Sequence, residues 1–157
     1  MINSESMEIS IPPIPQMRGH IILAVNFLSC YLTMIDAGIL DEELPGFIDR
    51  PMLRSITTRL DTAPADERLV VTEEEVRHIY ASYLLSSRLL LTAQGEAISE
   101  MILKQLPEDH DLKSFEAYRR YMLQCNEHLI KDTEERITVD MKGFDEWKQQ
   151  LMDWKLE

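Results

Sequence analysis

Apolar residues recur at three- and four-residue steps along most of this chain, and the longest such stretch runs from Val76 to Leu106. Val76, Ile79, Tyr80, Tyr83, Leu84, Leu90, Ile98, Met101, Ile102 and Leu106 follow a helical period. Thr72 and Glu75 stand before it at capping-box spacing, and Glu73, Glu74 and Glu75 put carboxylates at the positive end of the helix dipole. Tyr83-Leu84-Leu85 and Leu89-Leu90-Leu91 carry apolar side chains round the whole circumference, which suits a helix covered on several sides. No proline interrupts before Pro107. The pattern predicts one continuous helix over residues 73–106, with the other helices packed on it.

Shorter patterns fill in the rest. Residues 1–16 read as an extended N-terminal arm, because Pro12, Pro13 and Pro15 lack N–H donors and push their predecessors toward extended geometry. The remainder, 17–157, reads as a single helical domain. A first helix is expected from Met17 to Ala37, with Ile21, Val25, Leu28, Leu32 and Ile35 as its seam and Gly38 as a left-handed stop. Asn26, Ser29, Thr33 and Asp36 share another face, suited to solvent or to a polar pocket. A connector over 41–48 leads to a second helix from Asp49 to Leu60, capped by Asp49 with Pro51 in its first turn. A fourth helix is expected over 111–135 and a fifth over 144–155. Two β-branched phrases, Arg68-Leu69-Val70-Val71 and Arg136-Ile137-Thr138-Val139, are expected to pair as a small ribbon (68–71 with 136–139). The fold class predicted is therefore mainly α: about five helices around a central rod, with a minor two-stranded ribbon.

Composition narrows the function classes more than it names one. The net charge of −12 repels phosphate backbones and anionic membranes, so neither nucleic acid nor a membrane is an expected partner, whereas a basic protein is. Cys30 and Cys125 are the only cysteines and each sits in an apolar helical pattern. They form no disulfide framework, and a cytoplasmic setting is the expectation. The apolar run from Ile21 loosely resembles a secretion leader or a membrane span, but Asn26, Ser29 and Thr33 interrupt it and no small-residue cleavage pattern follows. A core helix is the better reading.

Candidate chemistry is sparse. Glu75 and His78 have the Glu-x-x-His spacing of carboxylate metal bundles, but that site needs the motif twice and it occurs once. Glu75 and His78 are thus weak metal-ligand candidates, Glu96 and Glu100 lie four apart where solvated helix surface is the better reading, and no cofactor is expected. Cys125 and His128 offer Cys-x-x-His without a second pair. No serine-nucleophile motif or Gly-rich phosphate loop is present, so no catalytic residue is assigned and an enzyme is the less favoured class. Gly95 lies inside the central pattern, where glycine marks a close approach or a kink. Trp147 and Trp154, seven residues apart, are the candidate partner-binding residues, with a core stripe as the intramolecular alternative.

The leading expectation is a protein-interaction or adaptor module, with homodimerisation through the arm or last helix as one form. The alternative is a small-ligand-binding protein or enzyme with a pocket between helices that uses carboxylates and His78 or His128. A narrower alternative is an acidic inhibitor of a basic nucleic-acid-processing protein.

Overall fold

Six helices and two short strands make up the described chain, in the order β1 (Ile9–Ile11), α1 (Pro15–Asp36), α2 (Arg50–Thr62), β2 (Leu69–Val71), α3 (Glu73–Leu89), α4 (Ala93–Leu103), α5 (Phe115–Ile137) and α6 (Phe144–Asp153). This computed structural model describes residues 9–39, 48–105, 107, 114–137 and 144–153. The connector at 41–47, the turn containing His110, the Lys142-Gly143 break and Trp154 lie outside them. The mainly helical bundle is as expected from the sequence. Two centres organise it: α1 packs on α2, α3, α4 and α5, while α3 also carries α6.

Several local signals act as the sequence implies. Asp49 caps α2 by accepting from the Met52 N–H at 3.3 Å. At the start of α3, Thr72 Oγ1 accepts from the Glu75 N–H at 3.1 Å and Glu75 Oε1 from the Thr72 N–H at 2.9 Å. Gly38 ends α1 at φ +76°, with Gly38 N–H donating to Ile35 O and Ile39 N–H to Met34 O, the Schellman pattern. α1 starts at Pro15, two residues before the expected Met17. Proline fits there because the first helical N–H has no partner to lose.

The central rod is broken. α3 stops at Leu89 and α4 starts at Ala93, so residues 73–106 are two helices joined by a corner. Thr92 makes the corner: its N–H and hydroxyl both donate to Leu89 O, at 2.9 and 2.7 Å, and its Oγ1 accepts from the Gly95 N–H at 3.2 Å. Gly95 is buried against the end of α3. A Cβ built on it would stand 1.8 Å from Leu89 O and 2.4 Å from Leu89 C, backbone atoms that cannot swing away. The fold-back therefore needs both a hydroxyl cap and a residue without a side chain.

The expected ribbon takes a different partner. β2 forms where expected, but it pairs antiparallel with β1, in the register Ile9↔Val71, Ser10↔Val70 and Ile11↔Leu69. Arg136 and Ile137 instead end α5, and 138–139 lie outside the described residues. Helical propagation from a 23-residue helix outweighs the β preference of two residues at its end. Residues 9–11 are thus a strand of the domain, with Ile11 and Val71 buried beneath it. Arg18, itself buried, fastens this edge: Nε donates to Pro12 O at 3.2 Å, Nη1 to Pro64 O at 2.9 Å, and Nη2 to Glu67 O.

α1 is long and apolar enough to cross a membrane by length and composition, which the interrupted run had argued against. Here it is the core of the bundle, with Ala24, Val25, Phe27, Leu28 and Tyr31 fully buried.

Glycine replacement separates the two helical glycines. Gly95→Ala should lower stability by about 1–3 kcal/mol, because the backbone clash outweighs the gain in helix propensity. Gly19→Ala, where no atom lies within 4 Å of the added Cβ, should raise it by about 0.5–1 kcal/mol. Urea denaturation of both variants checks the pair.

Candidate functional site

A chain of polar side chains crosses the core between α1, α3 and α5. Asn126, fully buried on α5, donates through Nδ2 to Ser86 Oγ and Ser87 Oγ of α3, each at 2.9 Å. Its Oδ1 lies 2.6 Å from His20 Nε2 of α1. With the amide NH₂ committed to the two serines, Oδ1 is the acceptor, so His20 Nε2 carries the proton; the tautomer is assigned from this network. Ser86 in turn donates to Tyr83 O at 3.2 Å, which satisfies its hydroxyl within α3.

The His20 ring is 2% exposed and is held on both sides. Tyr83 stacks on it with centroids 6.0 Å apart and planes 13° apart, and Tyr121 meets it edge-on at 5.9 Å. Burial lowers the imidazole below its ordinary value, outweighing the upward effect of the Asn126 bond. The ring is therefore neutral near pH 7, and its second nitrogen, Nδ1, is a lone-pair acceptor. That atom is buried and has no hydrogen-bond partner.

Next to this ring lies a cleft of about 540 Å³ between the start of α1 and the middle of α5. Ile14, Met17 and Leu129 give it an apolar lining, while His20, Tyr121, Cys125 and His128 supply polar atoms. Burial raises the Tyr121 hydroxyl, and the neighbouring Cys125 thiol adds to the rise, so Tyr121 is a neutral donor. A second buried atom without a partner, the Tyr118 hydroxyl, belongs to a residue that does not line the cleft.

The residues singled out from sequence take structural posts. Burial alone would raise the Glu75 carboxyl, but the Arg59 guanidinium and the Thr72 N–H outweigh it and hold it below the usual carboxylate range. Both its oxygens are thus engaged, one by Thr72 N–H and the other by Arg59. His78 accepts at Nε2 from Asp49 N–H at 2.9 Å, and its Nδ1 lies 2.7 Å from Glu74 O, so the ring ties α2 to α3. Among the described residues no three His, Cys, Asp or Glu side chains group to hold a metal. Trp147 is 8% exposed, packed on Tyr80 at 5.9 Å with the Arg77 guanidinium over its ring at 5.8 Å. Beside it, Tyr80 donates to Glu134 Oε2 at 2.6 Å and Lys148 pairs with the same carboxylate, which docks α6. Burial would raise Glu134, and the Lys148 and Tyr80 bonds hold it low.

The polar face of α1 does line a groove. Asn26, Ser29, Thr33 and Asp36 meet Arg50, Arg54 and Thr57 of α2 around about 380 Å³, where Arg50 pairs with Asp36. Around this groove Asn26, Thr33, Asp36 and Arg54 face solvent, while Ser29, Arg50 and Thr57 are half-buried.

His20 and Asn126 were not picked out by sequence reasoning. The signal was present, since Asn126 continues the spacing Tyr118, Met122, Asn126, Leu129 as well as Cys125 does. A polar residue on a buried stripe needs a partner on another element. Comparison of the chain with family models, with curated proteins and with solved structures gives no match.

Two outcomes test the network. Asn126→Ala should cost about 1–3 kcal/mol, because it strands the buried His20 N–H away from water. Stability should also fall as pH drops below about 6.5, since the unfolded chain then binds a proton that folded His20 resists. Replacing His20 with Gln should flatten that part of a ΔG–pH profile measured by denaturation.

Proposed function

We propose that this protein binds a small, largely apolar molecule in the cleft between α1 and α5. One observation carries the reading: a cleft of about 540 Å³ beside the buried His20 ring has an apolar wall of Ile14, Met17 and Leu129 with a few polar side chains set into it. The cleft's size falls within the roughly 300–1,000 Å³ of small-molecule pockets, and an apolar wall with few polar groups is their usual make-up.

Binding is favoured over catalysis here. The cleft holds a thiol and two imidazoles, but Cys125 is not hydrogen-bonded to His20 Nδ1, so these two form no nucleophile–base pair. The adaptor reading rests on the lack of catalytic motifs, the acidic surface and the tryptophan stripe; of that stripe, Trp147 is inside the bundle and Trp154 lies outside the described residues. Among the described residues the exposed large apolar side chains are scattered along the chain from Ile14 to Met152, with Leu91 of the α3–α4 corner the most exposed at 72%. Single exposed apolar side chains are common on monomers. The acidic exterior still favours a basic protein over nucleic acid or an anionic membrane as any macromolecular partner. Two free thiols, Cys30 and Cys125, suit a reducing cytoplasm.

A fragment screen by thermal shift tests the reading, because a ligand that binds only the folded chain raises its melting temperature by mass action. Gln124 lines the cleft and is exposed, so Gln124→Trp should fill the cleft with little effect on the unliganded protein. Ligand-induced shifts should disappear in that variant. Shifts that persist place the ligand elsewhere and reject the assignment.

A further inference from the structure

We infer that the groove between α1 and α2 binds a small hydroxylated oxyanion, with Arg54 as the side chain that holds its charge. This groove shares no lining residue with the α1–α5 cleft, and nothing in it depends on that cleft being occupied.

Hydrogen-bonding capacity in the groove is unevenly spent. Thr33 Oγ1 donates to Ser29 O and Thr57 Oγ1 to Arg54 O, each at 2.9 Å, so both hydroxyl protons are used within their own helices. Asp36 is also occupied: Arg50 Nη2 donates to its Oδ1 at 2.9 Å, and Nη1 pairs with Oδ2. The side chains of Asn26, Ser29 and Arg54 differ. Among the described residues none of the three makes a hydrogen bond or an ion pair. An amide, a hydroxyl and a whole guanidinium are thus available around about 380 Å³, with buried Leu32 and Leu53 in the wall. That volume is at the lower end of the roughly 300–1,000 Å³ range of small-molecule sites.

The groove's charge runs against that of the chain. Arg50 and Arg54 set two positive charges against the single carboxylate of Asp36 in a protein of net charge −12. The third arginine of α2, Arg59, is tied to Glu75 and to Val70 O. Arg54 is therefore the cation of this helix that lacks a counter-charge among the described residues. Exposed charges reach only ~8 Å in physiological salt, so a ligand here answers to these groups before the distant acidic surface. A guanidinium presents paired N–H groups in a fork that matches carboxylate and phosphate oxygens. Hydroxyls on the same ligand can meet the Asn26 amide, Ser29 and the lone pairs of Thr33 and Thr57. A neutral polyol would leave Arg54 without its counter-charge, and a cation would be repelled by it.

The test uses three probes on one carbon skeleton: glycerol, glycerate and glycerol 3-phosphate. Each is titrated by calorimetry into the full chain at neutral pH and about 0.15 M salt. At least one of the two anions should bind saturably, and glycerol should not. The tighter anion names the source of the oxyanion, a phosphate ester or a carboxylate. Arg54→Gln should weaken binding about tenfold, as expected for one charge-assisted contact. The bonds from Thr57 and Thr58 end on the backbone carbonyl of residue 54, which glutamine keeps, so the variant should melt with wild type. Arg120, exposed on α5 and outside the groove, is the control: Arg120→Gln should leave the affinity unchanged. Amide NMR of wild type gives a reading without any variant, with shifts concentrated on residues 26–36 and 50–57.

The site is rejected if neither anion binds, if glycerol binds as tightly, or if the affinity survives Arg54→Gln. Equal losses in Arg54→Gln and Arg120→Gln reject it too, since they report attraction to any exposed cation. None of these results bears on the α1–α5 cleft, and an empty screen of apolar fragments leaves this groove unaffected.

Discussion

Burying a carboxamide between helices is tolerable only if every one of its polar atoms finds a partner, and Asn126 meets that condition by reaching two other helices at once. An apolar interface can slide by a turn with modest loss, whereas this one cannot. Displacing α5 against α1 or α3 would strand the buried carboxamide and an imidazole N–H away from water. The network therefore sets the relative registers of α1, α3 and α5, around which Tyr31, Tyr80, Tyr118 and Phe27 fill the core. The same bonds that fix the helices also fix the His20 tautomer, so the chemistry offered to the cleft follows from the packing.

The α3–α4 corner solves a different problem. A straight helix from Thr72 to Leu103 would carry the second half away from α1 and α5, both of which α4 contacts. Bending at Leu90–Thr92 returns Ile98 and Leu103 to the core. The bend leaves helix-end carbonyls to satisfy, and Thr92 supplies two donors to one of them. Gly95 then lets the new helix lie against the end of the old one.

Signals confined to a few neighbouring residues were legible in the sequence. Asp49, the Thr72–Glu75 box and Gly38 each act through backbone atoms within a few positions, and each does what its residue type implies. The corner was missed for a physical reason. Leu89-Leu90-Leu91 keeps the apolar period unbroken, and a threonine cap competes poorly with that pattern until tertiary contacts favour bending. Pairing across long distances was not legible either. The partner of β2 came from the proline-rich arm, whose composition argued for an extended chain without saying what it lay beside. His20 and Asn126 are individually unremarkable and acquire meaning only when α1 and α5 are brought together. Of the candidate site, Cys125 and His128 were noticed for their spacing, while the pair that gives the cleft its character was not.

That long separation has a cost during synthesis. His20 and Asn126 are 106 residues apart, and α1, the one described helix both long and apolar enough to cross a membrane, is made before the other five. At bacterial-to-eukaryotic elongation rates of about 5–20 residues per second, α1 waits roughly 5–20 s for the helix that completes its cover. Until then the nascent chain presents an oily segment with a buried-type histidine to whatever surrounds the ribosome exit. α2 and α3, made earlier, cover most of α1 in that interval, and α5 closes the last side.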